Sequence, residues 1–228
     1  EHRLREQFNA LLFAALLLLF LSPVFPMDYR QGMIRVIRAT DKGKFPLFLC
    51  KLAIGPVAAL TLMALLYAPA YWNGIHLYAF TQWDAPIQSV RLYGEVDLPL
   101  SIGGFVVLVN GLQLAGGVIM AVCALALSVF VRRQALVLFL GAAVFLTPIL
   151  LDWIGLTFVT PLSFNKAFFL YSALAADGSI GHVFVYFAAL VLIGLGAVAL
   201  GWRTYRYDPV PARRRLHGAH RPSSQQSL

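Results

Sequence analysis

The chain reads as an all-α, polytopic transmembrane helix bundle, and three observations predict this. Apolar residues fill 60% of the 228 positions and charged residues only 12%, a balance with which a soluble domain could not cover itself. The apolar residues gather in blocks of about 18 or more, the length a helix needs to cross a hydrocarbon core about 30 Å thick. Charges are nearly absent inside the blocks and no strand-like alternation is seen, so helices are the form that pairs every backbone polar group in lipid.

Five blocks can be read, at about 8–25, 47–70, 102–131, 135–157 and 182–202. The first follows Arg3 and Arg5 as a secretory leader would. Its far end, Ser22-Pro23-Val24-Phe25-Pro26, lacks a small-x-small cleavage site and runs into a basic segment, so it is read as a span. Tyr67, Tyr71 and Trp72 close the second block, where Asn73-Gly74 reads as a turn into a loop. The third block exceeds a straight crossing and is expected to tilt, to kink near Gly103-Gly104, or to begin as a surface helix. Thr147-Pro148 is expected to kink or break the fourth, because proline lacks the amide proton of the helical ladder. His182 opens the fifth as an interfacial residue, and Trp202, Tyr205 and Tyr207 close it. The two cysteines, Cys50 and Cys123, imply neither a disulfide framework nor a metal site and read as buried packing residues.

A net charge of +8 could point to nucleic acid, but the placement of the basic residues excludes that class of partner in favour of the bilayer. Fourteen of the eighteen lie in three gaps: Arg30 to Lys51, the Arg132-Arg133 hinge, and the tail from Arg203 to Arg221. The intervening segments hold only Arg91 and Lys166. Positive residues stay cytoplasmic, so the rich gaps and the C-terminus are expected inside, as in a multi-pass protein of the plasma membrane. Residues 1–207 then form the membrane domain, and 208–228 a basic tail of disordered composition. Five spans with an inner C-terminus put residue 1 outside. Because that residue is Glu, an earlier span is expected before it; the alternative is an outward N-terminus left by a removed leader.

Between the first two blocks lies a cytoplasmic segment, 27–46. Asp28 suits a helix N-cap, and Met33, Ile34 and Ile37 recur at helical spacing opposite Arg30, Arg35 and Arg38. Thr40 to Gly43 would end that helix. An amphipathic helix along the inner membrane face follows from these residues alone. The order Asp28, Gly32, Thr40, Gly43, Lys44 and Lys51 also resembles the segment between the second and third spans of ABC-2 type (exporter-class) ABC transporter permeases. Those permeases have an acidic residue, Gly, a hydrophobic stretch, Thr or Ser, Gly with Arg or Lys, and a Lys opening the next span. The family usually has Glu where this chain has Asp28.

The resemblance implies that this element is a coupling helix, seated in a cleft of a separate ATPase subunit and carrying its closure to the spans. Asp28, Gly32, Met33, Ile34, Ile37, Thr40, Gly43, Lys44 and Lys51 would then form the coupling site. It also implies six spans in an intact family member, with both termini inside, and a second permease copy or a related permease as partner. No G-x-x-x-x-G-K-[ST] sequence occurs, so ATP would be bound by the partner subunit, and no cofactor is expected in this chain. Simple adsorption of a basic helix to anionic lipid is the plainer alternative, but it does not require the ordered glycines, threonine and lysines.

Polar residues within the blocks are the places to look for a substrate path. Asn110 and Gln113, three apart, would share a helix face and serve either interhelical hydrogen bonding or substrate. Gly111 and Ala115 beside them form a small-xxx-small pair that would admit a neighbouring helix. Asp152 would lie at the headgroup level or line an exit. An intramembrane enzyme is the rival from another class, but H-E-x-x-H and G-x-S-x-G are both absent. A non-catalytic membrane anchor is the third possibility. The transported substrate is not legible in these residues.

Overall fold

The computed structural model describes residues 2–31, 44–78, 83–94, 99–131, 133–153, 167–168, 170 and 180–207. They form α1 (His2–Leu21), α2 (Pro26–Gln31), α3 (Lys44–Tyr78), α4 (Ile102–Phe130), α5 (Gln134–Trp153) and α6 (Ile180–Tyr207), with two short 3₁₀ turns at Ile87–Ser89 and Arg91–Tyr93. The described residues contain no strand beyond one isolated bridge, Pro86 to Ser101. Four stretches are long and apolar enough to cross a membrane: Phe8–Asp28, Phe45–Pro69, Ile102–Phe130 and Gly181–Arg206. The fourth of the five sequence blocks forms α5, whose described apolar stretch, Gln134–Thr147, is shorter than a full crossing. The architecture is an α-helical membrane bundle.

α4 is its mast. More than half of its apolar stretch, 56%, is buried, against 22% for that of α3 and 28% for that of α6. It touches α1, α3, α5 and α6. Phe105, Val109, Met120, Ala121, Ala124, Leu125 and Val129 supply the buried stripe, at the helical spacing that keeps one face inward. Outward, Val107 on α4, Val57 and Leu65 on α3, Phe139 on α5, and Val185 and Leu192 on α6 are exposed by 60% or more. A soluble monomer rarely presents so continuous an apolar surface, whereas lipid accommodates it without cost.

The first turn of α4 is held by the preceding loop. Ser101 caps it, its hydroxyl accepting from the Gly104 amide at 3.2 Å. The amides of Ile102 and Gly103 donate to the carbonyls of Ala85 (2.9 Å) and Trp83 (3.0 Å), and Ile87 donates to Leu100 (3.0 Å). The donors that a helix start leaves open are thus paired inside a folded knob, which buries Ile87 and stacks Tyr93 on Phe105 at 4.9 Å. Gly103 and Gly104 therefore lie in this capped first turn, and α4 runs unbroken from Ile102 to Phe130.

Two expected breaks do not occur. α3 continues through Asn73-Gly74 to Tyr78. A single glycine costs a helix about 1 kcal/mol, and no proline follows it before Tyr78 to stop the ladder. At about 1.5 Å per residue α3 is roughly 52 Å long, so it extends well beyond its apolar stretch. α5 passes Pro148 to Trp153 without a break. Beside the proline, the Thr147 hydroxyl donates to the Ala143 carbonyl.

Close helix approach centres on residues other than the expected small pair. A Cβ on Gly111 would meet nothing within 4 Å, and Ala115 is exposed. A Cβ on Gly116 would lie 2.5 Å from the Ala167 Cβ, and one on Gly141 would lie 2.5 Å from a Leu18 methyl. Gly116→Val should therefore destabilise the bundle by about 1–3 kcal/mol through overpacking. Gly111→Val should change it by no more than about 0.5 kcal/mol. Thermal unfolding of the two variants in detergent micelles separates these outcomes, and equal losses would contradict the packing described around α4.

Candidate functional site

α1 ends in a corner, Ser22-Pro23-Val24-Phe25, from which α2 departs. Two prolines shape it. Pro23 follows the end of α1, and Pro26 takes the first position of α2, where its missing amide proton is no loss. Backbone bonds from Val24 to Leu21 (3.3 Å), Met27 to Pro23 (2.9 Å) and Asp28 to Phe25 (3.1 Å) close the turn.

The corner is plugged into the bundle through Phe25, which is 1% exposed. Its ring lies 6.0 Å from Phe48 of α3 and 5.9 Å from Tyr205 of α6, the latter edge-on. Phe48 in turn contacts Tyr205 at 5.5 Å and Trp202 at 5.3 Å, and Phe45 meets Trp202 at 5.2 Å. Trp202 and Tyr205, expected as headgroup anchors, thus also join an internal aromatic cluster, with Tyr205 only 3% exposed. Ser22 is buried as well, and its hydroxyl accepts from the Gln134 side chain at the start of α5 at 3.5 Å. One short turn therefore touches α3, α5 and α6 at one end of the bundle.

The chemistry of the corner is an ion pair. Lys51 Nζ pairs with Asp28 Oδ2, donates to the Val24 carbonyl at 2.9 Å, and lies 5.3 Å from the centre of the Phe25 ring. Lys51 sits six residues into the apolar stretch that starts at Phe45, about 9 Å along the helix, where an unpaired ammonium would be expensive. Asp28, read from sequence as an N-cap, is instead the third residue of α2, and its carboxylate is spent on Lys51. Removing one partner of such a pair, and so leaving the other charge buried alone, typically costs about 3–5 kcal/mol.

Of the residues expected to form the coupling site, the structure brings Asp28 and Lys51 together. Lys44 opens α3. Gly32, Met33, Ile34, Ile37, Thr40 and Gly43 lie outside the described residues. Phe25, Phe48 and the Val24 carbonyl were not anticipated. The signal that could have found them was Lys51 itself, a cation inside an apolar run that needs a partner.

Asn110 and Gln113 occupy different surroundings. Three residues turn a helix by about 300°, leaving them roughly 60° apart around α4. Asn110 donates to the Val106 carbonyl at 2.6 Å and lines an open groove of 430 Å³ between α3 and α4, whose walls include Leu60, Met63, Tyr67 and Leu114. Gln113 is 2% exposed and donates to the Phe168 carbonyl at 3.3 Å, while its Oε1 has no hydrogen-bond partner among the described residues. Asp152 lies in the last turn of α5. Cys50 is exposed on α3 rather than buried, and Cys123 is half-buried. Among the described residues no three metal-binding side chains gather.

If Phe25 wedges the corner into the bundle, Phe25→Ala should cost about 3–5 kcal/mol in thermal or denaturant unfolding. Met27→Ala, at a half-exposed neighbour, should stay within about 0.5 kcal/mol. Comparison with protein-family models, with curated proteins and with solved structures returns no match for this chain.

Proposed function

We propose that the chain is the membrane-spanning permease subunit of an exporter-class ABC transporter, driven by ATP hydrolysis in a separate subunit. The observation that carries this reading is the inner corner. The start of the cytoplasmic segment is joined by Phe25 and by the Asp28–Lys51 pair to helices that span the bundle. A helix held only by anionic lipid needs no such internal attachment. A helix that receives a push from a partner does, since the push must reach the spans.

In this reading two permeases stand together in the plasma membrane above two ATPase subunits, with the basic gaps and the C-terminus on the cytoplasmic side. ATP binding closes the ATPases and moves the segment after Asp28, tilting the spans between inward- and outward-facing states. Such a population shift requires the ATPase to bind the two states with different affinity. Asn110 in its groove and Gln113 with its open acceptor are the polar positions a passing substrate could meet.

Photo-crosslinkers at Met33 and Ile37 should capture a soluble ATPase in native membranes, and its hydrolysis should be stimulated by the permease. Gly32→Ala should abolish that stimulation while membrane insertion persists. Crosslinks confined to lipid or to the outer compartment would defeat the permease reading and leave the helical bundle.

A further inference from the structure

We propose that Asp28 and Lys51 are positioning residues that act on each other as an internal clasp, fixing where the cytoplasmic segment leaves the bundle, rather than residues that contact a partner. Their purpose rests on the permease reading, but their action on each other does not. Both side chains are turned inward, with 17% of Lys51 and 12% of Asp28 exposed. Two of the three ammonium protons are taken, by the Asp28 carboxylate and by the Val24 carbonyl, and the Phe25 ring lies against the same group. Little of either charge is left to offer an incoming protein.

The partners of Lys51 lie within five residues of chain, Val24 and Phe25 in the turn and Asp28 in α2, so one side chain of α3 grips the corner on both sides of Pro26. The two residues are 23 positions apart in the chain and bracket the cytoplasmic segment from residue 29 onward. The clasp thus joins the point where that segment departs to the helix into which it returns. Movement of the segment is then carried into α3 at Lys51 as well as through the chain at Lys44. The Ser22 contact with Gln134 places the start of α5 beside the same turn.

The test uses the full chain in lipid nanodiscs, with Cys50→Ser and Cys123→Ala, and a reporter thiol at Ser22→Cys, a position 1% exposed. The probe is a small maleimide, and a second reporter, Ser128→Cys on α4, sits at a position 0% exposed. Lys51→Met should speed labelling at position 22 by about tenfold or more while position 128 stays slow, since the corner opens locally and the bundle remains folded. Lys51→Arg, which keeps the charge and the donors, should hold the rate near the parent value. Adding Asp28→Asn to Lys51→Met should open the corner no further, because the pair is already lost. An unchanged rate at position 22 in Lys51→Met would overturn the proposal, and so would an equal rise at both positions, which would make Lys51 a prop of the whole fold. Failure of the permease reading shows elsewhere, in missing ATPase crosslinks, and leaves these rates untouched.

Discussion

A lysine inside a membrane-spanning stretch cannot be left alone, and much of one end of this molecule follows from that. Lys51 lies beyond the start of an apolar run, so its ammonium must find acceptors within the protein. It finds them in the turn after α1, in one carboxylate and one carbonyl. That requirement draws the corner against α3, seats Phe25 among Phe48, Tyr205 and the Lys51 stem, and sets the direction in which α2 departs. A buried ion pair gains little net stability over an apolar substitute. What it supplies here is register: only one placement of the corner satisfies both charges.

The two ends of the bundle are held by different means. At one end of α4 the knob at residues 83–94 pairs the amides of Ile102 and Gly103 through backbone bonds, which are indifferent to side-chain identity, beside the Ser101 cap. At the corner the ties are side chains, an ion pair and a cluster of rings, each of which a single substitution can remove. Between the two ends, Gln113 makes one bond to Phe168, and its buried Oε1 finds no donor among the described residues.

What was legible in the sequence was whatever depends on the solvent. Hydrophobic blocks placed the ends of α4 to within one residue and those of the other long helices to within eight, because lipid sets both length and composition. Features that depend on a distant partner were not legible. Asp28 looked like a cap because capping is a local signal, whereas its partner lies 23 residues away. Asn73-Gly74 looked like a turn because glycine and asparagine favour one in water, yet α3 continues through both. Gly111 and Ala115 had the spacing of a packing motif, but the helix turns them outward and gives the close contact to Gly116, one position beyond Ala115. Spacing reports which residues share a face and not which face is covered. Most of the proposed coupling residues lie between Gly32 and Gly43, outside the described residues, so the corner is the part of that site on which the structure bears.

The central claim is that the corner and α3 form one rigid unit at one end of the bundle. It is tested most directly by the distance between spin labels at Met27→Cys and the native Cys50, both exposed, in a Cys123→Ala chain in nanodiscs. A rigid unit predicts a single narrow distance distribution in the parent chain that broadens when Lys51 is replaced by Met. A broad distribution in the parent chain, unaffected by that replacement, would contradict it.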